Sequence, residues 1–266
     1  MVLRVENLTK RYSETTALSE VSFEIPDGTF AVVLGESGAG KSTLLRILNG
    51  LTEPTSGGVY IDDEEITNSR SDVGMVFQQH NLVKELSAYS NALTGTLNRT
   101  GFLRSLLSRQ PAAEKELALD ALETVGLLDE AGQTVRSMSG GQQQRVGIAR
   151  ALVQQPELLL ADEPVASLDP SSAETVMAYL RETATTRDLT TLASLHQVNI
   201  AREFGEQFIG LKQGRVVFTG SREELTTDVL EEIYGHIETD ELREEPEQEP
   251  VIEATPEENR GIGAKP

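Results

Sequence analysis

The 266-residue sequence contains no cysteine. That absence removes disulfides and thiolate metal sites and fits a reducing compartment. No apolar run approaches the eighteen or so residues that would read as a membrane span. The opening MVLRVENLTKRY also lacks the apolar segment of a secretory leader. The expectation is a soluble protein that meets a membrane only through a partner. Basic charge is scarce: 23 Lys and Arg stand against 43 Asp and Glu, a formal net charge of -20, with a pI near 4.5. No nucleic-acid partner is expected, because such a balance lacks the broad cationic footprint that phosphate backbones require. Lysine is confined to Lys10, Lys41, Lys84, Lys115, Lys212 and Lys265. A carboxylate-rich, lysine-poor surface suits a medium whose salt screens the self-repulsion of excess charge, so a halophilic protein is expected.

What is present is an alternation. Short runs rich in Val, Leu and Ile (TFAVVLG, DVGMVF, PELLLAD, TTLASLH, EQFIGL) are separated by helical patterns. Apolar runs without polar alternation read as parallel strands buried on both faces and joined by helices, hence an α/β fold with a mostly parallel core sheet. The first stretch differs: VLRVENLTKRY and LSEVSFEIPDG alternate and are joined by polar turns, which predicts an antiparallel β subdomain before the first core strand. Between about residues 86 and 136 the strand signal gives way to helical patterns such as EKELALDALETVGLLDEA, predicting a helical subdomain. The last stretch, 236–266, is dominated by Glu and Pro and has too few apolar residues to offset chain entropy, so an acidic, disordered tail is expected.

The segment GESGAGKST, comprising Gly35, Glu36, Ser37, Gly38, Ala39, Gly40, Lys41, Ser42 and Thr43, matches G-x-x-x-x-G-K-[ST] between a strand pattern and a helix pattern. Its glycines let successive N–H groups point at a β-phosphate beside a helix N-terminus. Lys41 supplies a point charge for the β and γ oxygens, and Ser42 a hydroxyl for Mg²⁺. In LLLADEP a buried strand ends at Asp162, placed to hold Mg²⁺, and Glu163, placed to act as base or orienting group for a water in line with the γ-phosphate. His196 ends TTLASLH and Gln78 ends GMVFQ, at the same edge. A neutral imidazole there can donate to the γ-phosphate or position the water, and the Gln78 amide can meet both metal and water. Alone, the histidine would read as structural and the glutamine as an ordinary loop residue.

A second glycine-led helix start, MSGGQQQRVGIARAL, follows. Ser139 is a good N-cap, and the bare backbone of Gly140 and Gly141 allows close approach of an anion. These parts in this order resemble the nucleotide-binding subunit of ATP-binding cassette transporters, from about Val2 to Gly235. The family's [LM]-S-G-G-Q signature stands as Met138, Ser139, Gly140, Gly141 and Gln142. The resemblance implies a domain at 1–235 that binds ATP and Mg²⁺ and closes head-to-tail on a second copy, each signature facing the nucleotide of the other. It implies that Tyr12 stacks on adenine and that Ser167, Leu168 and Asp169 cross the dimer interface. Asp169 reads equally well as a plain helix cap before Pro170. The helical subdomain corresponds to the part that docks on a membrane permease, with Gln78 at its hinge. Further implied are an extracytoplasmic substrate-binding protein and a peripheral location on the cytoplasmic face of the cell membrane. ADEPVASLDP, SLHQV, VFQQHNLV and the insert LTGTLNRTGFLRSLLSRQP resemble the phosphonate-import branch, although the insert retains one aromatic, Phe102, where that branch has several. Phosphate or polar amino-acid import, export, and soluble cassette ATPases acting on ribosomes or DNA are the alternatives.

Overall fold

The computed structural model describes residues 1–78, 81–97 and 111–235. Strands β1 (Leu3–Tyr12) and β2 (Thr15–Ile25) lead into β3 (Phe30–Leu34) and helix α1 (Lys41–Leu48). Then come β4 (Ser56–Ile61), β5 (Glu64–Glu65) and β6 (Val73–Val76), followed by helices α2 (Ala88–Leu93), α3 (Ala112–Thr124) and α4 (Gly140–Leu152). The chain continues through β7 (Leu158–Asp162), α5 (Pro170–Thr186), β8 (Thr190–Leu195), α6 (Val198–Phe204), β9 (Gln207–Lys212), β10 (Arg215–Ser221) and α7 (Thr227–Tyr234).

The core sheet has the order β10-β9-β3-β8-β7-β6. All its pairings are parallel except β10 on β9. In register, Leu34 lies opposite Leu195 and Gly210, and Asp162 opposite Ser194, so the carboxyl ends of β3, β7, β8 and β9 reach one edge together. The unbroken burial of β3 and β7 explains their continuous apolar runs. Alternate residues serve two cores. Phe30, Val32, Leu34, Leu159, Ala161 and Leu195 face the helices, while Ala31, Val33, Leu158, Leu160 and Leu192 face α1 and the antiparallel sheet.

The predicted antiparallel sheet is present with more strands than the sequence announces, in the order β2-β1-β4-β5. Strand β4 begins Ser56-Gly57-Gly58, a start that hides its β signal. Gly57 (φ 79°) must be glycine, because a Cβ would lie 2.3 Å from the Asn7 carbonyl.

Between 86 and 136 the described residues contain helices, closed at the neck by a bridge between Ser87 and Thr134 and by the Val135 N–H to Leu86 carbonyl bond. The helix predicted across EKELALDALETVGLLDEA stops at Thr124. Gly126 adopts φ 64°, its N–H binds the Glu123 carbonyl, and the Leu127 N–H binds the Leu122 carbonyl: a Schellman ending that sequence periodicity does not reveal. Leu122 and Leu127 are fully buried, each contributing about 1.5–3 kcal/mol by burial. Most of the insert, Phe102 included, and the acidic tail lie outside the described residues, as do Gln79 and His80. Among the described residues no helix is long and apolar enough to cross a membrane.

Candidate functional site

The glycines of the loop after β3 are set by what surrounds them. A Cβ at Gly35 would lie 2.2 Å from the Leu211 carbonyl, and one at Gly40 (φ 107°) 2.6 Å from the Ala17 carbonyl. Gly38 (φ 81°) faces open space, so conformation rather than crowding selects glycine there. Helix α1 starts from Gly40 with no side-chain cap, presenting a helix N-terminus suited to an anion. Lys41 is 4% exposed and turns back over the loop. Its Nζ donates to the Gly35 carbonyl at 2.7 Å and the Glu36 carbonyl at 3.0 Å, and lies 3.3 Å from His196 Nε2. Burial pulls its pKa down, opposed by the charges of Glu163 and Asp162.

Asp162 ends β7, 5% exposed. Its Oδ1 accepts from Ser42 Oγ at 2.9 Å and from Ser194 Oγ at 3.1 Å. A hydroxyl and a carboxylate in contact beside the loop offer two hard oxygens of the kind Mg²⁺ favours. The donor chemistry therefore fits the ion expected from the sequence.

Glu163 is the next residue, in a left-handed conformation (φ 47°) and with its side chain 15% exposed. Such a backbone is uncommon for a residue with a Cβ and is held here by a hydrogen bond from its N–H to Ser194 Oγ at 2.9 Å. Its Oε2 accepts from Gln78 Nε2 at 2.9 Å, and its Oε1 lies 2.5 Å from His196 Nε2. The strand-end residues Gln78, Glu163 and His196 thus converge beside Lys41, as their positions in the sequence anticipate. Ser194 was missed. Its signal is a hydroxyl inside the fully buried run TTLASL, which must find polar partners.

Tyr12 is 46% exposed, with Lys10 Nζ 4.9 Å from its ring centroid. It pairs with Thr15 at the β1–β2 turn, and β2 then runs past Gly40 at Ala17 and Leu18, which puts the tyrosine at the phosphate-loop end of the sheet.

The signature segment is built differently. Ser139 Oγ accepts from the Gln142 N–H while Gln142 Oε1 accepts from the Ser139 N–H, a complete capping box in which both bonds are exposed. Among the described residues no hydrogen bond or ion pair joins Ser139–Gln142 to Gly35–Thr43. The link runs instead through the loop after Glu163. A Cβ on Gly140 would meet Leu168 Cδ2 at 3.2 Å, and one on Gly141 would meet Ser172 Cβ at 3.3 Å. Asp169 caps α5 by accepting from the Ser172 N–H at 3.0 Å, so the cap reading holds in this chain whatever else the loop does. Sequence reading also missed the residues that fasten Asn81 and Val83. Asn91, 1% exposed, exchanges hydrogen bonds with both backbone groups of Val83, and Arg150 of α4 donates to the Asn81 carbonyl at 2.6 Å.

The family described as ABC transporter matches residues 18–166. The chain is 64% identical to the phosphonates import ATP-binding protein PhnC of Halobacterium salinarum, over 91% of this chain and 86% of that protein. It is 48% identical to the protein of the same name from Thiobacillus denitrificans, over 87% of this chain and 92% of that one. Among solved structures it is similar to the ATP-binding cassette MJ0796 in a dimeric post-hydrolysis state bound to ADP and Pi, with a TM-score of 0.71, 34% identity, and 83% of this chain and 98% of that chain covered. It is also similar to the ADP conformation of MJ1267, an ATP-binding cassette of an ABC transporter, with a TM-score of 0.77, 27% identity, and 86% and 97% covered.

Proposed function

Because the chain belongs to the ABC transporter family, we infer that it is the ATP-hydrolysing subunit of a membrane importer for phosphonates or a related phosphorus oxyanion. The observation that carries the chemistry is the convergence of Gln78 and His196 on Glu163, beside Lys41, at the carboxyl edge of the sheet where Asp162 meets Ser42. The substrate class rests on relatives alone, since the cargo of such a system does not touch this subunit.

In this reading Gly35–Thr43 wraps the phosphates, Tyr12 stacks on adenine, and Lys41 gives up loop carbonyls for phosphate oxygens. Ser42 and Asp162 would hold Mg²⁺, with Gln78 beside them, and the ion would supply charge neutralisation for the phosphates. Glu163 orients a water and takes its proton as the water oxygen bonds to Pγ. The bond from Pγ to the β-γ bridging oxygen breaks, releasing ADP and inorganic phosphate. His196 and Gln78, each bonded to one carboxylate oxygen, fix the direction in which Glu163 faces. Ser139, Gly140, Gly141 and Gln142 complete the site of a second copy, and closure of that pair drives the permease.

Residues 1–235 form the ATPase domain, about 86–136 its helical, permease-facing subdomain, and 236–266 an acidic extension. The partners are membrane permease subunits, a second copy and a substrate-binding protein, which places the subunit peripherally on the cytoplasmic face. The test is size-exclusion chromatography of Glu163→Gln in concentrated potassium chloride. An ATP-dependent shift from monomer to dimer supports the sandwich, whereas a monomer that demonstrably binds ATP counts against it. The acidic surface is read as adaptation to high salt: the melting temperature should rise from low to molar salt, and a flat response excludes the adaptation.

A further inference from the structure

We propose that Tyr234, on the last helix, is a positioning residue of the nucleotide site: its hydroxyl anchors the first residue of the phosphate loop and keeps that loop pre-shaped for a nucleoside diphosphate or triphosphate. This rests on the phosphate-loop reading above. The Gly35 N–H donates to Tyr234 Oη at 3.2 Å, a contact spanning 199 residues of sequence. The Gly35 carbonyl accepts from Lys41 Nζ at 2.7 Å. Gly35 is thus held on both sides, its carbonyl by the Lys41 ammonium and its N–H by the Tyr234 hydroxyl.

The helix that carries Tyr234 is itself fixed. Thr226 caps its start, and Leu230 and Ile233 are fully buried. Ile233 occupies the space left by Gly210, where a Cβ would come within 2.6 Å of its Cδ1. Gly210 pairs with Leu34, the residue before the loop. Lys212 Nζ donates to the Glu232 carbonyl, placing a cation at the C-terminal end of the helix. Two residues of β9 thus hold α7 against the strand end from which the loop springs, and the crowding of Gly35 by Leu211 belongs to the same contact. An anchored loop meets its ligand already ordered. Without the hydroxyl, part of that ordering falls on binding and appears as lost affinity.

The experiment compares Tyr234→Phe with the parent in the full chain in molar potassium chloride, using ADP with Mg²⁺ as probe so that dimer closure does not enter. Phenylalanine keeps the ring and its packing and removes the hydroxyl alone. Loss of one net hydrogen bond predicts a rise in the ADP dissociation constant of about three- to tenfold. The KM for ATP should rise by a similar factor with kcat at saturation nearly unchanged, the signature of lost uniform binding. The Gly35 amide should also exchange faster with solvent in the variant. An unchanged ADP affinity, or a melting temperature lowered equally with and without ADP, overturns the proposal and leaves Tyr234 a packing residue. Lys41→Ala is the control for the premise. If it binds ADP like the parent, the phosphate-loop reading fails and the proposal with it. If it loses binding while Tyr234→Phe does not, the tyrosine proposal alone fails.

Discussion

The two glycine-led helix starts of this chain are opposites in construction. At the first, Lys41 and Asp162 are almost wholly buried, and a continuous set of contacts runs through Ser42, Asp162, Ser194, Glu163, His196 and Lys41. At the second, Ser139 and Gly140 are exposed, and the capping box satisfies itself with its own serine and glutamine. A site that binds and cleaves needs charges held in low dielectric at fixed distances, which burial provides. A helix start that completes a site on another molecule must lie on the surface and stay folded alone, which the capping box provides. On the proposed reading, this contrast separates a self-contained half-site from one completed by a second copy, with Gly141 buried behind the exposed Ser139 and Gly140.

The sharpest way to break this comparison is to disable the buried half. Glu163→Gln removes the proposed proton acceptor and keeps the shape, while turning one of the two accepting oxygens into a donating amide, so ATP turnover should fall by about 10²–10⁴-fold while equilibrium ATP binding persists. Turnover near the parent rate would assign the base elsewhere. Next is the exposed half: Gly140→Asp puts a carboxylate into the first turn of α4, where the helix dipole favours it and the fold is retained. Its own nucleotide binding should be unchanged, but ATP-dependent dimerisation of the double variant with Glu163→Gln should disappear if, as proposed, the new charge faces the γ-phosphate held by the second copy. A dimer in spite of that charge would mean that the signature does not meet nucleotide.

Ser194→Ala tests how far the buried half depends on parts that do not touch substrate. It leaves the Glu163 N–H without its partner and removes one of the two hydroxyls on Asp162, a penalty of about 1–3 kcal/mol for the orphaned donor. Because Glu163 sits at φ 47°, the backbone can relieve itself by turning, and kcat should drop by roughly tenfold as the carboxylate leaves its two tethers. An unaltered kcat would show that His196 and Gln78 suffice to place it.

Much of this was legible in the sequence because the relevant signals are local. Gly35–Ser42 is a spacing, each core strand is one apolar run, and strand-end polarity named Asp162, Glu163, Gln78 and His196. What was not legible is relational. Ser194 matters because the ladder pairs it with Asp162, and Tyr234 because its hydroxyl reaches the Gly35 N–H, 199 residues away in sequence. The end of α3 at Thr124 depends on one glycine turning left-handed while the Leu and Val periodicity continues past it. Strand β4 was hidden because Gly57 answers to the Asn7 backbone and Gly58 to the Tyr60 ring rather than to β propensity.

The smallest effect concerns the loop that joins the two halves. The hydroxyl and the N–H of Ser172, and then Ser171 Oγ, stabilise the Asp169 carboxylate and lower its pKa to about 2 from an ordinary value of 3.8. A group whose folded pKa is depressed contributes stability above its unfolded value and loses that contribution as pH falls through the folded one, so the window is about pH 4 to 2. Asparagine is also a good N-cap but does not titrate there. Asp169→Asn should therefore be slightly less stable than the parent at neutral pH, and the two should converge on acidification through that window. Because Ser172, one turn into α5, is also the neighbour of Gly141, a loosened cap would be felt first at the exposed half-site and only weakly at Lys41. The expected pattern is a modest loss of ATP-dependent dimerisation with ADP affinity intact. An equal loss of both would mean that the loop carries its effect back to the phosphate loop, and that the two halves are coupled more tightly than their contrasting burial implies.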